Sequence, residues 1–93
     1  MSDAKTTLPQ VAYSATAPEG RIYIAIGPNC WGKGNTPKKA VAKMRSNWPS
    51  YIKYDRARFV VVECDSRSTV SSFDGSIEWP SDGEKAFKVD VKW

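Results

Sequence analysis

The chain contains no histidine and only two cysteines among its 93 residues. It therefore lacks the commonest general base and metal ligand, and two cysteines are too few for a four-cysteine zinc site. A serine nucleophile would also need a base beside it, and no motif in the chain supplies one. We therefore expect a protein that is not an enzyme and that has neither a metal site nor a cofactor.

Long apolar runs are also absent. The longest, residues 59–62, is far shorter than the ~20 residues that a membrane-spanning helix needs, and residues 1–10 lack the apolar core of a secretory signal. We expect a cytoplasmic protein with no membrane partner and with both thiols reduced. Cys30 is expected to be the more exposed cysteine, and the sequence leaves open whether it can approach Cys64.

The length and composition predict one compact domain, because the chain has 93 residues of which 41% are hydrophobic and 26% charged. Residues 1–20 are rich in Ser, Thr, Ala and Pro, which favours a flexible N-terminal arm with room for a short edge strand around residues 11–13. Residues 21–93 are then predicted to form a single α+β domain.

One amphipathic helix is predicted at about residues 36–48. Thr36 followed by Pro37 is a favoured helix start, and Pro49 ends the pattern because the residue before a proline is pushed out of the helical region. At ~100° per residue the apolar positions fall on one arc, which is expected to be buried, and the basic positions fall across from it. The apolar arc consists of Pro37, Ala40, Val41, Met44 and Trp48.

The remaining apolar patterns predict strands. Residues 21–26 and 87–93 alternate as strands with one buried face, and residues 59–62 within the strand 58–64 are expected to be buried on both faces. Residues 69–73 and 76–79 flank Asp74-Gly75, a dipeptide typical of a hairpin turn. The predicted order is β-α-β-β-β-β, a two-layer sandwich of one helix on a mostly antiparallel four- to five-stranded sheet. If strands 21–26 and 58–64 are parallel neighbours, the helix is their crossover.

A glycine-rich segment at residues 27–34 lies between the first strand and the helix. Its spacing of Gly27, four residues, Gly32 and Lys33 is close to that of a phosphate-binding P-loop, but Gly34 occupies the position of the required hydroxyl residue. Nucleotide hydrolysis is therefore not expected. Two interpretations remain open: the glycines simply let the chain turn into the helix, or the loop holds an anion at free donors of the helix N-terminus.

Positive charge is concentrated in residues 33–58, which hold eight Lys and Arg residues against Asp55, a net charge of +7 within a chain of net charge +4. Lys38 and Lys39 are placed in the first helical turn, where the helix dipole disfavours cations. An anionic partner at this position would relieve the repulsion, which makes the basic helix face a candidate site.

We therefore expect a small binding protein whose basic helix face and Gly-rich loop engage a polyanion, either nucleic acid or a nucleoprotein complex. The predicted site residues are Lys33, Lys38, Lys39, Lys43, Arg45 and Trp31, with additional contacts from Lys53, Arg56, Arg58, Tyr51 and Tyr54. The alternative interpretation of the same pattern is a basic helix face that is simply solvated, with the aromatic residues in the core.

A different class of function fits the sequence as well. The chain could be a protein-binding inhibitor or adaptor of phage or mobile-element type, which docks on a host protein through exposed sheet aromatics or a strand edge. The candidate anchors are Tyr23, Phe73, Trp79 and Trp93. The sequence does not determine the identity of the partner, a preference for DNA or RNA, the oligomeric state or the strand order.

Overall fold

A computed structural model describes residues 8–70, 76–82 and 86–93. It confirms the predicted α+β class, with one α-helix packed on a five-stranded sheet and a separate two-stranded sheet. In chain order the elements are β1 (Gln10–Ala12), β2 (Arg21–Gly27), β3 (Cys30–Gly34), α1 (Pro37–Ser46), a short 3-10 helix (Arg56–Arg58), β4 (Val60–Asp65), β5 (Thr69–Val70), β6 (Ile77–Glu78) and β7 (Phe87–Lys92).

The main sheet has the strand order β1-β7-β4-β2-β3, in which, among the described strands, β1–β7 is the one parallel pair. β2 and β4 are antiparallel neighbours, so the helix is not their crossover. Because β3 and β4 are each antiparallel to β2, they are parallel to each other, and α1 connects them across β2.

The expected Gly-rich loop is instead the second half of a β-hairpin. β2 turns into β3 through Pro28 and Asn29, whose φ of 56° is the left-handed conformation that asparagine tolerates. Cys30, Gly32 and Gly34 then alternate with Trp31 and Lys33, as in any strand. This corrects the comparison with a P-loop. The order of elements matches the prediction roughly, with the additional strand β3 before the helix.

The glycines of β3 are required by the helix above them. A Cβ at Gly32 would meet the backbone nitrogen of Met44 and would lie 2.6 Å from the carbonyl oxygen of Ala40. At Gly34 it would lie 2.6 Å from the backbone nitrogen of Ala40. The helix therefore packs directly on the strand backbone, a spacing that larger residues would prevent.

The helix begins as predicted, with Thr36 as N-cap and Pro37 in the first turn. It ends at Ser46, two residues before the predicted end at Trp48. Its buried residues are Pro37, Ala40, Val41 and Met44, all on the predicted apolar arc. Trp48 is half-buried just beyond the helix, where its indole N–H donates to the carbonyl of Ile52 at 2.7 Å.

Apolar side chains pack on both faces of the main sheet. On the helix side, Tyr23, Ala25, Val61 and Met44 belong to one buried cluster. On the opposite side, Ile24, Val62, Cys64 and Val70 form a second cluster, against which Ile77 packs. The expectation that residues 59–62 are all buried is wrong at Val60, which is 40% exposed.

The pairing of β5 with β6 is antiparallel, with Thr69 opposite Glu78 and Val70 opposite Ile77. Over their described residues, these strands pair with each other and not with the main sheet. The predicted turn residues Asp74 and Gly75 lie outside the described residues. The paired strands bring Val70 and Ile77 onto the sheet face that α1 leaves uncovered.

Both cysteines are free and buried, and Cys30 is the more exposed of the two, as expected, at 6% against 0% for Cys64. Cys30 packs in the cluster beneath α1, whereas Cys64 packs in the cluster on the other side of the sheet. The sheet therefore separates the two thiols. Among the described residues, no helix has the length and apolar character to cross a membrane.

Candidate functional site

The N-terminus of α1 has no spare donors for an anion. The backbone N–H of Lys38 donates to the carbonyl of Tyr13 at 2.8 Å, and that of Lys39 donates to the Thr36 hydroxyl at 3.1 Å. The first position is Pro37, which has no N–H. The interpretation of this helix end as an anion site with free donors is therefore wrong, because the N-terminal segment and the cap residue occupy them.

The solvent-exposed side of α1 carries the predicted basic residues in two rows. At ~100° per residue, Lys39, Lys43 and Asn47 follow one another along one flank of the helix. Lys38 and Arg45 lie along the other flank. All five side chains are exposed. The structure therefore brings four of the six principal predicted residues onto one helix and divides them between its two flanks.

No acidic residue balances this charge on the helix itself, whose sequence is PKKAVAKMRS. Within the described ranges, the ion pairs join Arg21 to Glu63 at 3.6 Å and Arg67 to Asp65 and Asp82 at 3.0 and 3.4 Å, all remote from α1 in sequence. None of them involves a lysine or arginine of the helix. Within the part of the chain that the structure describes, no ion pair therefore offsets the positive charge on the exposed face of α1.

Trp31 and Lys33 project from β3 on the side of the sheet opposite α1, since Gly32 and Gly34 face the helix. Trp31 is half-buried and packs against the cluster around Ile24. Lys33 is half-buried too, and its ammonium group donates to the carbonyl of Ser68 at 2.9 Å. The structure thus places both predicted site residues outside the helix face.

A groove at the outer edge of β3 nevertheless brings the two sides together. It has a volume of about 720 Å³. The residues that line it are Asn29, Cys30, Trp31, Lys33, Lys43 and Asn47. Burial raises the pKa of the Cys30 thiol, which keeps this lining cysteine protonated and a poor nucleophile. The groove therefore offers two ammonium groups, two amides and an indole, a set suited to binding an anion.

The additional predicted contacts lie in the segment after α1. Lys53, Arg56 and Arg58 are exposed, and Tyr51 is 80% exposed, so its ring is accessible. Tyr54 differs, because the Arg45 guanidinium lies 4.1 Å from its ring centroid and Trp48 packs edge-on against it. The covered ring of Tyr54 is therefore a support for Arg45, since a cation over an aromatic face is attracted by it.

The aromatic anchors of the alternative hypothesis have different surroundings. Tyr23 is 2% exposed, and burial together with Glu63 raises the pKa of its hydroxyl, so its selection as a surface anchor is wrong. Phe73 lies outside the described residues. Trp79 and Trp93 are 40% and 45% exposed. The Trp93 ring packs against Tyr13 and Phe59 and carries the Arg56 guanidinium 4.6 Å from its centroid.

Sequence reasoning missed the groove and its amide residues Asn29 and Asn47. The missed signal is the period-two alternation of Cys30, Gly32 and Gly34 with Trp31 and Lys33, which indicates a strand once the glycines are counted as its helix-facing residues. A strand at this position would have been recognised as the partner of β2 and as a sheet edge.

Among the described residues, no three His, Cys, Asp or Glu side chains are grouped as a metal site would require. Comparison of the chain with protein-family models, with curated proteins and with solved structures finds no match.

Proposed function

We propose that the protein is a small, non-enzymatic binding protein that uses the exposed face of α1 to hold a polyanion, namely nucleic acid or its phosphate backbone within a nucleoprotein complex. The observation that carries this proposal is the uncompensated charge of the helix. Lys38, Lys39, Lys43 and Arg45 are exposed, and the helix holds no acid.

The first turn gives the strongest support. Two cations there oppose the helix dipole, at a cost of about 0.3–1 kcal/mol each. A phosphate beside Lys38 and Lys39 would turn this repulsion into attraction. The cost is explained if the lysines serve binding, because functional sites are where local rules of stability are broken.

The segment after α1 extends the same surface. Lys53, Arg56 and Arg58 are exposed, and the single acid of this region, Asp55, accepts from the N–H of Ala57 at 2.9 Å. Tyr51 supplies an exposed ring on which a base can stack. The two buried, free thiols are typical of a reducing compartment, which favours action in the cytoplasm.

Fluorescence-anisotropy titration of labelled single-stranded and duplex DNA and RNA tests the proposal. We expect the wild type to bind at least one of these probes and the Lys38→Glu/Lys39→Glu variant to lose most of that affinity. The matched control is Lys88→Glu/Lys92→Glu, which makes the same change in net charge at exposed positions of β7. Equal losses in both variants, or no binding of any probe by the wild type, would refute the proposal.

A further inference from the structure

The outer edge of β3 is a second surface with its own chemistry. A two-residue turn joins β2 to β3. In their antiparallel pairing, Gly27 is opposite Cys30 and Ala25 is opposite Gly32. Successive residues of a strand direct their backbone N–H and C=O groups toward opposite neighbouring strands. Because Cys30 and Gly32 face β2, the N–H and C=O groups of Trp31 and Lys33 point away from β2. Within the described part of the chain, β3 ends the sheet, and no strand pairs with this edge.

The chain itself shows that this edge accepts backbone hydrogen bonds. Asn35, the next residue with this outward orientation, accepts at its carbonyl from the N–H of Ala17 at 2.7 Å. The N-terminal segment therefore covers the end of the edge. The four outward groups of Trp31 and Lys33 lie beyond that contact, in the groove whose lining also includes Lys43 and Asn47.

An edge lysine ordinarily discourages a second strand, because its charge would be buried by the newcomer. Lys33 is instead directed across the sheet face, where its ammonium group donates to the Ser68 carbonyl. On the helix side, the Cβ of Lys43 lies 2.6 Å from the position that a Cβ of Gly32 would take, so this side chain begins directly above β3. One cation thus flanks the edge on each side of the sheet.

We propose that the β3 edge binds an extended acidic segment of a partner protein, which adds as a sixth, antiparallel strand. Outward backbone groups supply the hydrogen bonds of strand addition, and the side chains of the added strand alternate between the two faces. The residue opposite Lys33 and the residue opposite Gly32, beneath Lys43, are acidic. The residue opposite Trp31 is apolar, so that it covers the indole.

Charge complementarity selects this occupant over a second copy of the chain. Two β3 edges paired about Gly32 would bring Lys43 of each copy to the same side of the joint sheet, with the lysines of both helices adding to the positive potential. An acidic strand meets this potential with opposite charge. This inference shares Lys43 with the proposed nucleic-acid binding, but it rests on the backbone groups of β3 and on Lys33, which that binding does not use.

Nuclear magnetic resonance titration with blocked peptides tests the inference directly. The peptide TTEEVTT should shift the amide resonances of Trp31 and Lys33 and slow their hydrogen exchange, and TTKKVTT should do neither. N-methylation of the first Glu and the Val removes donors that face β3 and should abolish the shifts. N-methylation of the second Glu, whose N–H faces away, should leave them intact.

Charge variants of the protein complete the test. Lys43→Glu should weaken binding of TTEEVTT by about three- to tenfold, whereas Lys88→Glu, on β7 and separated from β3 by β4 and β2, should leave it unchanged. Binding that tolerates both patterns of N-methylation would overturn strand addition. If TTEEVTT does not shift these amide resonances, the inference is overturned. Shifts on diluting the protein would then assign the edge to self-association, and shifts on adding single-stranded DNA would assign it to nucleic acid.

Discussion

Lys39 occupies the third position of α1, three residues after the N-cap Thr36, whose hydroxyl accepts from the Lys39 N–H at 3.1 Å. A glutamate at this position would complete a capping box and would interact favourably with the helix dipole. We therefore predict that Lys39→Glu raises the free energy of unfolding by about 0.5–1 kcal/mol, measured by chemical denaturation.

Lys39→Glu also separates stability from function, because the proposal expects the same substitution to weaken binding of a polyanion. A variant that is more stable and binds less shows that the wild-type lysine is not there for the fold. A variant that is less stable than the wild type would contradict the local electrostatic account of this helix end.

Asp65 gives a residue-scale prediction about pH. Its carboxylate accepts from the backbone N–H of Arg67 at 2.8 Å and from two guanidinium nitrogens of the same residue at 3.0 Å each. These bonds lower the pKa of Asp65 from 3.8 to about 2. The carboxylate is therefore favoured in the folded protein, and its contribution is complete above pH 4 and lost as the pH falls toward 2.

Denaturation curves across this acidic range measure that contribution. We expect the stability of the wild type to fall with decreasing pH more steeply than that of Asp65→Asn, which has no group to titrate there. Arg67→Ala, which removes the guanidinium donors while leaving the carboxylate, should reduce the difference. Identical pH profiles for the wild type and Asp65→Asn would contradict the assignment.

The β2–β3 hairpin is the element whose interpretation changes most between sequence and structure. If residues 27–34 were a loop with free space, Gly32→Ala would stabilise the protein by about 0.4–1 kcal/mol, by restricting the unfolded chain. The structure predicts the opposite sign. The added Cβ would meet the backbone of Met44 and Ala40, so Gly32→Ala should destabilise the protein by about 1–3 kcal/mol, measured as a lower Tm and denaturation midpoint.

Gly20→Ala is a useful comparison because it isolates backbone strain. Gly20 has φ of 79° and no neighbouring atom within 4 Å of an added Cβ. Gly20→Ala should therefore lower the free energy of unfolding by only about 1–2 kcal/mol, because alanine disfavours the left-handed conformation. A Gly32→Ala variant with wild-type stability or higher would show that α1 does not lie directly on β3.

Local signals were sufficient for α1 and insufficient for β3. Thr36, Pro37 and the apolar arc act within the helix or on its immediate ends, so the sequence predicted the start and the buried face correctly. The glycines of β3 are needed because the helix that follows folds back onto them, and this contact is apparent only once the packing is known. Glycine therefore suggested a loop where the fold required a strand.

At the scale of the whole molecule, one part of the candidate site was predicted from the sequence and another part was not. The exposed face of α1 followed from helical periodicity, but Lys33 was grouped with it because the two are close in sequence. Strand alternation places Lys33 on the other side of the sheet, and only the sheet edge brings it near Lys43. The face of Lys33 follows from its place in a strand whose glycines face α1, and this strand was not recognised in the sequence.

Charge at the scale of the whole molecule is asymmetric: residues 33–58 carry a net +7, whereas the full chain carries +4. The remainder of the chain is therefore slightly acidic. An anionic polymer approaching this protein is attracted to one region and not to the surface as a whole. Binding should therefore depend on the position of the cations on α1 and not on the net charge of the protein.

The most direct measurement is the dependence of nucleic-acid affinity on salt, for the wild type and for Lys38→Gln/Lys39→Gln. Each phosphate contact contributes about −0.9 to the slope of log K against log salt concentration on duplex DNA. We predict a wild-type slope of about −3 to −4 if the four cations of α1 each contact a phosphate, and a slope reduced in magnitude by about 2 in the variant. A flat slope in the wild type, or the same slope in both proteins, would contradict the account.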